Sequence, residues 1–171
     1  MEIIIMLCAF IIGIIIVVVA MTSKQESVKK DIEFSNDILL ELSIKQELGN
    51  RYETIPCIIK IYKNRNIELI MDNNVIGTYL LDESKYNNLV TNLDLTKIND
   101  LFIKSNYSIK NGYEYFIILF DKNNNQINRI GGYEPISQEF NAYRNMILSC
   151  LPNNFIGERR NKYIEKLKGN R

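Results

Sequence analysis

The sequence predicts an α+β protein. An N-terminal transmembrane helix and a linker helix come first. A small antiparallel sheet of about five strands follows, meander-like, with helices packed on one face. Three observations carry this prediction. An uncharged apolar run of 19 residues, Ile3 to Met21, opens the chain. Short β-rich runs then recur between Asn- and Asp-containing turns. Amphipathic segments with capping residues interrupt and follow those runs, an order that points to α+β.

The first run, IIIMLCAFIIGIIIVVVAM, covers about 28 Å as a helix, close to the hydrocarbon thickness of a bilayer. Residues 1–21 are therefore read as a retained signal anchor, with Ile3, Phe10, Gly13 and Val19 spaced along the membrane-spanning helix. A cleaved signal would need a basic start, an apolar core of about 7–15 residues and a small-x-small site. This chain starts Met1-Glu2, and Val18-Val19-Ala20 offers no such site. Met6-Leu7 before Cys8 does not make a lipoprotein box either. Lys24, Lys29 and Lys30 follow the run and only Glu2 precedes it, so the positive-inside rule turns the globular part toward the cytoplasm of a single-pass cell-membrane protein.

Residues 22–50 read as a juxtamembrane helical linker. Val28, Ile32, Leu39 and Leu42 fall near one stripe, Ile38 lies beside it, and Gly49-Asn50 is a good stop. Homo-oligomerisation through residues 24–48 is a secondary expectation, since fewer than three clean heptads are present.

A globular α+β domain is expected over residues 51–153. Cys57–Tyr62, Ile67–Met71 and Val75–Leu81 read as consecutive hairpin strands. Asp82 to Leu93 reads as a helix capped by Asp82 or Ser84, with Tyr86, Leu89, Val90 and Leu93 on its apolar face. Leu95 to Lys104 is ambiguous between a short helix and a loop. Tyr113–Phe120 (YEYFIILF) is the strongest strand, and its near-continuous apolar character argues for an interior position. Gln126–Ile130 is its hairpin partner, and Gly131-Gly132 is expected to break that strand. Pro135 to Leu151 reads as a helix capped by Ser137, with Phe140, Tyr143, Ile147 and Leu151 inward and Pro152 ending it. Residues 154–171 form a basic C-terminal helix or tail.

Composition excludes several chemistries. Histidine is absent, which removes the commonest general base and metal ligand. No C-x-x-C occurs, so neither a zinc site nor a thioredoxin-type motif has support. Cys57 and Cys150 read as partly buried free thiols, and would pair only in an oxidising compartment. Net charge is +1, and residues 57–153 hold ten basic and ten acidic side chains, so no nucleic-acid partner is expected.

The remaining motifs are weak. Asp121, Asn123 and Asn125 share positions 1, 3 and 5 of a calcium loop, but position 6 is Gln126 and position 12 is Gly132, so a hairpin turn is the better account. Gly131-Gly132 lacks any phosphate-loop context. Asp72, Asp82, Glu83, Asp121, Glu134 and Glu139 sit at turns and helix starts, where carboxylates cap backbone amides. No catalytic residue, metal site or cofactor is predicted. Asn106-Tyr107-Ser108 matches a glycosylation sequon that matters only in a eukaryotic lumen.

One charge asymmetry stands out. In the tail Arg159, Arg160, Lys162, Lys166, Lys168 and Arg171 face only Glu158 and Glu165. The first five are candidates for contact with an anionic bilayer surface. The expected role is a membrane-anchored, non-catalytic binding or accessory module with a protein partner, such as an immunity or inhibitor protein or a scaffold. The lipid bilayer is its other partner. The alternatives are a pilin-like subunit of a surface filament or secretion apparatus, from which the lack of a charge within the apolar run departs, and a carboxylate-based enzyme.

Overall fold

A computed structural model describes residues 33–46 and 54–169. The apolar run and most of the expected linker lie outside the described residues, and with them Ile3, Phe10, Gly13 and Val19. The compact body begins at Glu33.

Its elements are β1 (Ile38–Gln46), β2 (Cys57–Tyr62), β3 (Asn66–Met71), β4 (Asn74–Leu80), α1 (Glu83–Asn92), α2 (Leu95–Asn99), β5 (Tyr113–Phe120), β6 (Gln126–Tyr133), α3 (Gln138–Ser149) and α4 (Phe155–Gly169). The strands make one six-stranded sheet in the order β4-β3-β2-β1-β5-β6, every pair antiparallel. The α+β class is therefore correct.

The helical reading of residues 22–50 fails over Ile38–Gln46, which is a strand in the interior of the sheet. Leu, Glu and Lys are good helix formers, and that preference suggested a helix. The segment also alternates, with Leu40, Leu42 and Ile44 on one side and Glu41, Ser43 and Lys45 on the other. Pairing with β2 and β5 on both flanks makes that period-2 pattern win. The extra strand raises the count from about five to six. A bulge at Leu39, between Ile38 and Leu40, lets both Leu39 and Leu40 pack into the main core.

Gly131-Gly132 does not break β6. The ladder continues through Phe116↔Gly131, Tyr115↔Gly132 and Glu114↔Tyr133. The glycines are needed because the backbones come too close for a side chain. Gly131 has φ +146°, and a Cβ there would overlap the Tyr115 carbonyl oxygen. A Cβ on Gly132 would strike Ser105 Oγ, whose segment covers this end of β6. Lys104 bridges to Ile136, and Ser105 Oγ accepts the Tyr133 N–H at 3.1 Å.

The main core lies between one face of the sheet and the helices. Leu40, Leu42, Ile59, Ile61, Ile67, Leu69, Met71, Ile117 and Leu119 are fully buried there against Leu89, Ile98, Phe140 and Ile147. Burying an aliphatic or aromatic side chain contributes roughly 1.5–3 kcal/mol, so this layer dominates stability. Capping fixes where the helices begin. Asp82 Oδ1 accepts the Ser84 and Lys85 amides at 2.9 and 3.4 Å, and Ser137 Oγ accepts the Phe140 amide at 3.1 Å. In α3 the expected inward face is the buried one. In α1 Val90 is 41% exposed, so its apolar face is narrower than expected.

The two ends of the sheet differ. Glu33 pairs with Lys122, Phe34 bridges to Asp121, and the Lys63 amide donates to the Asp37 carbonyl at 2.8 Å. The start of β1 therefore shares one end with the β2–β3 and β5–β6 turns. The β3–β4 turn at Asp72-Asn73 and the C-terminal half of α4 share the opposite end, where Asn74 meets Tyr163.

Candidate functional surface

The face of the sheet turned away from the helices is the surface with functional potential. Directly opposed residues of an antiparallel pair share a face. Register thus places Thr78, Glu68, Lys60, Glu41, Ile118 and Arg129 in one row across six strands. The next row is Val75, Ile70, Ile58, Ser43, Phe116 and Gly131. A charged row lies beside an apolar one. Ile38, Ile118 and Phe120 form a small second cluster here with Tyr62 and Phe116, and every member lies on a strand. Among the described residues no helix residue joins that cluster.

The charges on this face are held in place. Lys60 Nζ lies 2.8 Å from Glu41 Oε1. It also sits 5.8 Å from the Phe120 ring centre and 6.0 Å from that of Tyr62. The Arg129 guanidinium stacks 3.7 Å over Phe116, a favourable cation–π geometry. Tyr62 donates its hydroxyl to Glu68 Oε2 at 2.7 Å. Burial, reinforced by that carboxylate, pushes the Tyr62 phenol up to about 12. Toward the β4 edge a hollow of about 510 Å³ opens between Tyr62, Asn64, Asn66, Glu68 and Thr78. Val75 and Leu80, on β4 itself, are 53% and 60% exposed.

The tail residues do not share one face. Arg159, Lys162 and Lys166 converge with Asn74, Val75, Ile76 and Tyr163 around a groove of about 490 Å³ between α4 and β4. Arg160 points elsewhere, where its charge acts on the Cys57 thiol. Lys168 is exposed near the helix end. Helix α4 itself agrees with the expected C-terminal helix.

Asp82, Glu83, Asp121, Glu134 and Glu139 are engaged structurally, and Asp72 sits at left-handed backbone in the β3–β4 turn. Asp82 caps α1. Asp121 accepts the Asn123 and Asn125 amides, both at 2.9 Å, which holds its carboxyl below the usual range. That is the hairpin turn expected of the segment. Glu134 accepts the Tyr113 amide at 2.7 Å, Glu139 pairs with Lys97 at 2.5 Å, and Glu83 lies 3.5 Å from Arg65. Among the described residues no group of three or more His, Cys, Asp or Glu side chains could hold a metal ion. Asn106 Oδ1 accepts from Ser108 in a local turn.

Cys57 and Cys150 are both buried and unpaired with each other. Burial pushes the Cys57 thiol up to about 11, with Arg160 pulling weakly the other way. Among the described residues no helix is long and apolar enough to cross a membrane. Comparison with protein-family models, with curated proteins and with solved structures finds no match.

The two rows that run through Glu41 and Ser43 were hidden from sequence reasoning by the helical reading of β1. The signal was the Leu40, Leu42, Ile44 alternation, which also places Glu41 and Lys60 on one face once β1 pairs with β2.

Proposed function

We propose that this chain is a single-pass, membrane-anchored, non-catalytic binding module whose helix-free sheet face receives a protein partner. The apolar residues Ile70, Ile58 and Phe116 of one row support the docking surface, beside a small cluster, Ile38, Ile118, Phe120, Tyr62 and Phe116, that among the described residues has no helix member. The flanking row Glu68, Lys60, Glu41 and Arg129 supplies charges that select a partner by complementarity. The uncharged run Ile3–Met21 supports the anchor, and the lysines after it support a cytoplasmic body. An immunity or inhibitor protein, or a scaffold within a membrane complex, works in this way.

Two measurements test the reading. The full chain should stay with the membrane pellet through alkaline carbonate extraction, and release into the supernatant would overturn the anchor. A photoreactive residue at Ile58 or Ile70 in the membrane-embedded chain should give a discrete heavier adduct that is absent from the same residue at Asn87, on α1. Adducts only from α1, or from neither position, would refute the sheet face as the docking surface.

A further inference from the structure

We infer that the groove between α4 and β4 is a binding site for a phosphate-bearing ligand, independent of the sheet-face reading. Its walls combine three cations with one neutral donor, the Tyr163 hydroxyl, while the Asn74 amide donates its two hydrogens to the Asp72 carbonyl and to Tyr163. Arg159, Lys162 and Lys166 follow one another at i, i+3 and i+7, which brings all three to one side of the helix. Tyr163 lies on the same side, and its hydroxyl accepts the Asn74 Nδ2–H at 3.0 Å. The phenolic hydrogen is thereby left to donate into the groove.

The opening of about 490 Å³ has the size of a small-ligand pocket. No carboxylate lines it. Glu158 and Glu165 stand four residues before and three after Lys162, on the flank of the helix about 140–160° round from Tyr163, and neither lines the groove.

The cations are also placed rather than scattered. The Phe155 ring centre lies 5.7 Å from the Arg159 guanidinium, a cation–π contact that restrains it. Gly77 makes room for the Arg159 stem, since a Cβ there would come within 3.2 Å of Arg159 Cγ. The bulge between Leu69 and Ile70 sets Ile76 as the extra residue of β4 and bends the strand there. Three like charges crowded on one helix face repel one another. A polyanion relieves that repulsion, and a phosphate monoester offers the charge and the several acceptor oxygens that this set of donors matches.

The groove lies at the end of the sheet opposite Glu33. The phosphate can belong to a soluble metabolite or to a phosphorylated lipid headgroup, and the chemistry of recognition is the same.

The test is titration of the full chain, in uncharged detergent, with inorganic pyrophosphate followed by calorimetry. A second arm measures co-sedimentation with vesicles of phosphatidylcholine containing a phosphoinositide bearing phosphomonoesters. Saturable binding is expected in at least one arm. It should weaken roughly tenfold or more in Lys162→Gln/Lys166→Gln and fall with rising salt. Lys104→Gln/Lys110→Gln, which removes two exposed charges elsewhere, should leave it unchanged. Pyrophosphate binding assigns a soluble ligand, and vesicle binding alone assigns a headgroup. No binding in either arm, or equal loss in both double variants, would overturn the site.

Discussion

Lys60 and Glu41 face each other from paired positions on β2 and β1, 2.8 Å apart and with side chains 21% and 12% exposed. This is the best-shielded ion pair on the helix-free face. It sits between Glu68 on one side and Ile118 on the other. Most surface pairs contribute little because water screens them and both chains lose freedom. This one is different because its sheet neighbours already restrict both side chains and exclude much of the solvent.

A double-mutant cycle on Glu41→Gln and Lys60→Met should therefore give a coupling of about 1–2 kcal/mol, above the roughly 0–1 kcal/mol typical of exposed pairs. Lys122–Glu33, at 58% and 67% exposure, is the internal comparison and should fall in the lower range. Chemical unfolding of the detergent-solubilised full chain measures both. Equal couplings would show that the sheet face screens charge as well as open solvent does.

Gly131→Ala should destabilise the protein by about 3 kcal/mol or more. The φ of +146° is strained for any other residue, and the new methyl would overlap the β5 backbone at Tyr115. Gly169→Ala, where nothing lies within 4 Å, should be close to neutral. Midpoints of denaturant unfolding for the two variants test the contrast.

Alkaline pH should weaken the fold through Tyr62. Its phenol is raised from an ordinary value near 10 to about 12 in the native state. The native chain thus keeps a proton that the unfolded chain loses. That stabilisation is complete below pH 10 and is lost as pH rises through about 12. Tyr62→Phe should flatten the slope of unfolding free energy against pH within that window. Phenolate absorbance should likewise show one late-titrating tyrosine disappear.

Orientation is best tested with an introduced thiol. Cys57 and Cys150 are buried, and their thiols are raised by burial, so both should react slowly from either side of a membrane. Asn123, exposed in the β5–β6 turn, is the useful position. Asn123→Cys should resist a membrane-impermeant maleimide in intact cells and react after permeabilisation. Rapid labelling before permeabilisation would place the body outside the cytoplasm.

Local chemistry made most elements legible. Asp82 and Ser137 marked helix starts because an N-cap must supply an acceptor at that position. Asn- and Asp-rich turns separated β2, β3 and β4 because those residues tolerate left-handed backbone, as Asp72 and Asn73 do at φ 49° and 59°. Two features were not legible. The strand β1 was hidden because helix propensity and strand alternation coexist in ILLELSIKQ, and only pairing with β2 and β5 decides between them. The continuation of β6 through Gly131 and Gly132 was hidden because close approach to Tyr115 and Ser105 is long-range. The basic tail was visible as charge, but its division into a groove and a separate Arg160 depends on how α4 meets β4.

The position of β1 carries a mechanical consequence. This strand comes first in the sheet's sequence yet lies between β2 and β5, tied to both by antiparallel ladders. Tension applied through Glu33 would pull along its axis, so the cross-strand bonds on both sides would be sheared together rather than peeled apart one at a time. A sheet gripped by an interior strand resists being pulled apart from that end far better than one gripped by a strand at its margin. The same arrangement means that a chain shortened past Gln46 would lose the strand that joins the two halves of the sheet.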